Sequence, residues 1–200
     1  SGKPAYGVGA GNSTMVIDET ADVVHAARNT RMSKTSDNGS GCSADGNLIV
    51  DASVYDALLL QLQAEGGHLC SDEEKAKLKA VMWDENGARL TATVARPARD
   101  IAAAAGFEIA DGKTFIIVKQ DEIGKQHFFS KEKLSVVLAI YKYEGGFDTA
   151  LKMVEQIYEV GGKGHSCGIY SFDDDHIARL AAVAPVSRMM VRQAQSKANA

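Results

Sequence analysis

Apolar residues along this chain fall into short runs separated by longer amphipathic stretches. Seven runs read as strands: Thr14 to Ile17, Leu48 to Val50, His68 to Cys70, Thr114 to Val118, Leu134 to Tyr143, Ser166 to Phe172 and Met189 to Val191. The stretches between them carry the 3.6-residue spacing of helices. Thr20 is the expected N-cap of the first helix, with Asp22 in its first turn and Val23, Ala26, Ala27 and Met32 on its apolar stripe. Ser53 is expected to cap a second, with Val54, Ala57, Leu58, Leu60 and Leu62 inward and Gly66-Gly67 as its stop. Ser71 and Glu74 form a capping box ahead of Ala76, Leu78, Val81 and Met82. Pro97 opens a short helix stopped by Gly106. Phe147-Asp148-Thr149 and Asp173-Asp174-Asp175 begin two more, the second closed by Pro185.

Strands thus alternate with helices, and Thr114–Val118 and Leu134–Tyr143 are apolar almost without a break. A strand covered on both faces gives such a run, and parallel strands need helical crossovers. The expected class is α/β: three layers, α/β/α, around a mostly parallel sheet. In such folds reactive residues lie in loops at strand ends, which singles out the loop before Leu48 and the segment Gly161–Ser166. With three prolines and no low-complexity linker, residues 1–200 read as one domain.

Composition narrows the function classes. The 200 residues are 45% hydrophobic and 24% charged, enough to bury a core without metal or disulfides. A net charge of −4 with no basic run gives no footprint for nucleic acid. No apolar run is long enough to span a bilayer, and Ser1–Ala5 lack the apolar core of a signal peptide. Three cysteines, Cys42, Cys70 and Cys167, are odd in number and far apart. That argues for a reducing compartment, hence a cytoplasmic protein, and against a disulfide framework.

Cys42 stands apart from the other two. It lies among fifteen small and polar residues, Ser33 to Asn47, flanked by Gly39, Ser40, Gly41 and Ser43. A structural cysteine belongs among aliphatics; this one is set to be exposed, with backbone N–H groups free to face a reaction partner. Gly7, Gly9 and Gly11 hint at a dinucleotide loop, but no strand precedes them. His165, Cys167 and Asp173 to His176 fit no zinc spacing, and no metal is expected in this chain.

Four segments occur in an order that resembles the catalytic domain of the aldehyde dehydrogenase superfamily, CoA-acylating branch. They are Gly9-Ala10-Gly11-Asn12 ahead of Val16-Ile17-Asp18, the loop Ser36 to Ser43, Glu132 to Leu138, and His165 to Ser171. The resemblance implies that fold, with Cys42 as catalytic nucleophile and Ser40, Gly41 and Ser43 around the oxyanion and substrate. It implies Glu132 as a ligand of the nicotinamide ribose, and His165 near the acyl or CoA site. It also implies NAD or NADP as cofactor and coenzyme A as co-substrate. The nicotinamide-binding domain is expected to be absent from this chain, so the isolated domain should be inactive. The full-length protein is expected to be a homodimer or tetramer, without nucleic-acid or membrane partners.

Hydrolytic members carry a glutamate base at a position that falls here at Gly7, which cannot take a proton. Transfer to a thiol needs less help than attack by water, so the acylating reaction is expected. The Ser40–Asn47 loop looks most like acylating sulfoacetaldehyde dehydrogenases, and its hydroxyls suit a sulfonate head group. The competing readings are a hydrolytic aldehyde dehydrogenase and a non-catalytic α/β scaffold.

Overall fold

The computed structural model describes residues 9–199. Its strands are β1 (Thr14–Ile17), β2 (Asn47–Asp51), β3 (Gly67–Leu69), β4 (Phe115–Gln120), β5 (Val137–Tyr143), β6 (Ser166–Tyr170) and β7 (Arg188–Val191). The helices are α1 (Val23–Thr35), α2 (Ala52–Ala64), α3 (Asp72–Met82), α4 (Ala98–Ala104), α5 (Phe147–Val160) and α6 (Asp174–Val183). All seven strands form one sheet in the order β3-β4-β5-β2-β1-β6-β7. Every neighbouring pair is parallel, so the expected α/β class holds. α1 packs on α2, α3 on α4 and α5 on α6. Right-handed crossovers put α1 and α2, which lead the chain one way across the sheet, on the face opposite the rest.

β1 and β6 have no exposed residue, and β2 and β5 are buried but for Asp51 and Lys142. Their unbroken apolar pattern therefore reflects cover on both faces. Among the described residues no helix is long and apolar enough to cross a membrane.

The capping box forms as expected: Glu74 N donates to Ser71 Oγ at 3.2 Å and Ser71 N donates to Glu74 Oε2 at 2.8 Å. Two other caps differ from expectation. Asp22, not Thr20, caps α1, its Oδ1 accepting from Val24 N and His25 N; Thr20 Oγ1 instead donates to Asp18 Oδ1 at 2.7 Å. Asp51, not Ser53, caps α2, accepting from both the amide and the hydroxyl of Ser53. In both cases a carboxylate nearby accepts two donors at once, which a hydroxyl competes with poorly.

Two inward faces are rotated from those expected. In α2 the buried set is Tyr55, Leu58, Leu59 and Leu62, the regular i, i+3, i+4, i+7 stripe, and Leu60 points to solvent. In α1 Met32 is exposed, whereas Asn29, Thr30, Ser33 and Lys34 are buried with Ala26 and Ala27. The C-terminal half of α1 faces a polar interior, and that interior lies beneath Cys42.

A candidate active site at the amino edge of the sheet

β5, β2, β1 and β6 are consecutive in the sheet and parallel, so the loops entering them converge on one edge. These loops carry Cys42 (before β2), Gly11 and Asn12 (before β1), Glu132 (before β5) and His165 (before β6). Open parallel sheets commonly bind ligands at the carboxyl edge. Here the residues singled out from sequence gather at the opposite one.

The thiol loop is locally shaped by its small and polar residues. Asp37, Asn38 and Gly39 all have positive φ, a region that Asn, Asp and Gly enter most readily. A Cβ on Gly39 would lie 2.3 Å from the carbonyl oxygen of Ser135, so the loop closes on the β5 entry only with glycine there. Its base is tied by a reciprocal pair: Ser33 Oγ donates to Asp45 Oδ1 at 2.9 Å, and Asp45 N donates to Ser33 Oγ at 3.1 Å. At its tip a turn from Ala44 N to Gly41 O (2.9 Å) presents Cys42, the exposed cysteine of the three. The Cys42 amide makes no hydrogen bond among the described residues.

Asn12 joins the four loops. Its Nδ2 donates to Ser130 O at 2.9 Å and to Gly161 O at 3.1 Å, while its Oδ1 accepts from Asn47 Nδ2 at 3.0 Å. Lys133 continues the network, Nζ donating to Asn47 Oδ1 and to Lys131 O. Next to Asn12, Gly11 N donates to Glu132 Oε1 at 2.7 Å. A Cβ on Gly11 would come within 1.8 Å of the Cys42 carbonyl oxygen, so the backbones of the two loops are in direct contact.

Beneath this surface lies a buried charge cluster. Lys34 and Lys133 are each 1% exposed. Burial pulls the Lys34 ammonium down to about 7 against the attraction of Asp45 and Glu132. Burial also holds Lys133 well below the ordinary lysine value, helped by the charge of Lys34. Asp45 is pushed up to about 7 by burial, against its Ser33 hydrogen bond and the charge of Lys34. Arg89 donates to Lys133 O, Met82 O and Thr93 Oγ1, and burial lowers it to about 10.

Residues 3–75 match the profile described as the aldehyde dehydrogenase family. The chain is 37% identical, over its whole length, to a sulfoacetaldehyde dehydrogenase of an Acholeplasma species, covering 42% of that protein. It is 38% identical to an acylating sulfoacetaldehyde dehydrogenase of Cupriavidus necator, across 96% of this chain and 39% of the relative. The solved acetylating aldehyde dehydrogenase of Geobacillus thermoglucosidasius superposes with a TM-score of 0.93 at 34% identity, over 98% of this chain and 43% of that one. Over nearly its whole length the chain is similar to members of the aldehyde dehydrogenase family. It spans well under half the length of each of these relatives.

The residues expected at the site are distributed as follows. Cys42 is exposed, with Ser40 and Gly41 half-buried beside it, while Ser43 has no exposed surface. Glu132 is half-buried and held by the Gly11 amide. His165 Nδ1 lies 2.9 Å from Ser166 Oγ. Partial burial and then the charge of Arg188 hold the imidazole below its ordinary value, with Glu132 opposing. Gly7 lies outside the described residues. Cys167 is fully buried in β6, its thiol pushed up to about 11 by burial. His176 pairs with Asp18 at 2.8 Å instead of facing Cys167.

The sequence reading passed over Asn12, Asn47, Lys34, Lys133 and Asp45. Lysines and carboxylates in polar loops ordinarily face solvent. The available signal was the misfit of α1, where the buried stripe runs through Ser33 and Lys34.

Proposed function

We propose that this chain is the thiol-bearing catalytic domain of a cytoplasmic, CoA-acylating aldehyde dehydrogenase, with sulfoacetaldehyde as its candidate substrate. The observation that carries the reading is the exposed Cys42, on a loop tied at its base and pressed against Gly11. Relatives named as acylating sulfoacetaldehyde dehydrogenases support the acyl-transfer chemistry and the substrate.

Cys42, as thiolate, adds to the aldehyde carbonyl and forms a thiohemiacetal. The Cys42 N–H would donate to the developing oxyanion, with Ser40 and Gly41 shaping the approach. NAD or NADP, if bound with its ribose at Glu132, would supply the hydride acceptor that the oxidation of the thiohemiacetal requires. Glu132 fits the ribose role: a carboxylate has about four acceptor sites, and the Gly11 amide uses one. His165, its imidazole held below the ordinary value by partial burial and the Arg188 charge, would take the proton of an incoming CoA thiol, whose sulfur then accepts the acyl group from Cys42. In the hydrolytic register the base falls at Gly7, so water has no carboxylate from that position.

The half-buried Glu132 beside the Cys42 backbone favours one rival, hydrolysis with Glu132 as base. Product analysis of the full-length protein separates the two. Supplied with sulfoacetaldehyde, nicotinamide and CoA, it should release acyl-CoA, and Cys42→Ala should lower turnover by about 10⁴-fold or more. Free sulfoacetate formed at the same rate without CoA, and lost in Glu132→Gln, would establish the rival. Specificity constants for acetaldehyde equal to or above those for sulfoacetaldehyde would remove the substrate assignment.

A further inference from the structure

Away from the thiol loop, His68, Cys70 and Glu74 bring an imidazole nitrogen, a sulfur and a carboxylate oxygen within 4.8 Å of one another. The arrangement follows from local structure. His68 lies in β3 and Cys70 continues that ladder, its amide donating to Ile117 O at 3.0 Å. Residues two apart on an extended segment project to the same face. Glu74 reaches that face from the first turn of α3. All three side chains are half-buried.

Each of the three residues is also held by a group outside the trio. The His68 ring stacks on Phe107, centroids 5.9 Å apart and planes inclined by 24°. Glu74 is held by the capping box through the Ser71 amide. Cys70 is held by its backbone hydrogen bond. His68 Nε2 and Glu74 Oε2 lie 3.2 Å apart. Zinc bonds of about 2.0–2.2 Å to nitrogen and oxygen set tetrahedral ligands about 3.3–3.6 Å apart, so little movement separates this pair from a coordinating geometry.

We propose that His68, Cys70 and Glu74 form a binding site for a thiolate-accepting divalent cation of the zinc class, with water as the fourth ligand. Mixed nitrogen, sulfur and oxygen donors select Zn²⁺ and its analogues over Mg²⁺ and Ca²⁺. Binding replaces the His68–Glu74 hydrogen bond by two metal bonds and forms a third to sulfur. Cys70 loses its proton to solvent in the process. Zinc-class binding therefore exchanges a proton for the metal at the sulfur. The bound cation ties the edge strand β3 to α3, a consequence independent of Cys42 chemistry.

The test is titration of the full-length protein with Co²⁺, followed by displacement with Zn²⁺. The expected result is one equivalent bound with a thiolate-to-cobalt charge-transfer band. That band should survive in Cys42→Ala, vanish in Cys70→Ser and weaken at least tenfold in affinity in Glu74→Gln. In the unmodified protein, Zn²⁺ should protect the Cys70 peptide from alkylation, a readout that needs no variant to fold. A charge-transfer band that disappears in Cys42→Ala but not in Cys70→Ser, or equal alkylation of Cys70 with and without Zn²⁺, overturns the proposal.

Discussion

At the scale of single residues, the site depends on polar side chains doing structural work under a reactive surface. Asn12 is the clearest. Replacing it with alanine removes three hydrogen bonds and leaves the carbonyls of Ser130 and Gly161 and the amide of Asn47 without that partner. At about 1 kcal/mol net per bond, Asn12→Ala should lose about 3 kcal/mol, read as a lower urea midpoint with an unchanged m-value. A loss below about 1 kcal/mol would mean that the loops do not depend on Asn12. His165 carries a different expectation. Its imidazole sits below the ordinary histidine value, so it remains a neutral base at neutral pH and protonates only below about 6.5. The rate of acyl transfer to CoA should fall along that acid limb, and His165→Gln should be slow and flat there. An unaltered limb in the variant would assign it to another group.

At the scale of elements, the contact between the β1 and β2 entry loops is unforgiving. Gly11→Ala places a methyl where the Cys42 carbonyl stands, so one of the two loops must shift by more than an ångström. Acylation of Cys42 should fall by about 10²-fold or more while the fold persists, since misplacement on this scale costs that much in positioned chemistry. Normal acylation in a folded Gly11→Ala would show that the loop geometry is not rate-determining.

The same elements show what sequence can and cannot reveal. The strands were legible because their apolar runs reflect cover on both faces, and Thr14–Ile17 coincides with β1. The Ser71–Glu74 cap was legible because both partners lie three residues apart. The caps at Asp22 and Asp51 were not, because adjacent residues compete and the outcome turns on which carboxylate points along the helix. The exposure of Cys42 could be read from its glycine and serine neighbours, whereas the burial of Lys34 and Lys133 could not, because it arises from loops distant in sequence closing over them. Nor could strand order alone tell that the loops meet at the amino edge. That placement follows from all seven strands being parallel, with β2 and β1 side by side.

At the scale of the whole molecule, the buried pair beneath the thiol loop sets a pH signature on stability. Asp45 is raised to about 7, so its stabilising contribution is complete below the ordinary carboxylate range and lost as pH climbs through about 7. Lys34 is lowered to about 7, so its contribution is complete above the ordinary lysine range and lost as pH falls through about 7. Asp45→Asn cannot ionise and retains an acceptor for Ser33. Its stability relative to the unmodified protein should therefore rise as pH goes from about 4 to about 7, measured by urea unfolding across that window. Parallel curves would place the Asp45 titration elsewhere.

The account turns on whether Cys42 carries the acyl group and gives it to a thiol. The full-length protein should be mixed with sulfoacetaldehyde and the oxidised nicotinamide, without CoA, quenched in acid and mapped by peptide mass. The peptide containing Cys42 should gain one sulfoacetyl group, which adding CoA before the quench removes as sulfoacetyl-CoA. Acylation of another residue, or discharge to free acid at a rate indifferent to CoA, would contradict it.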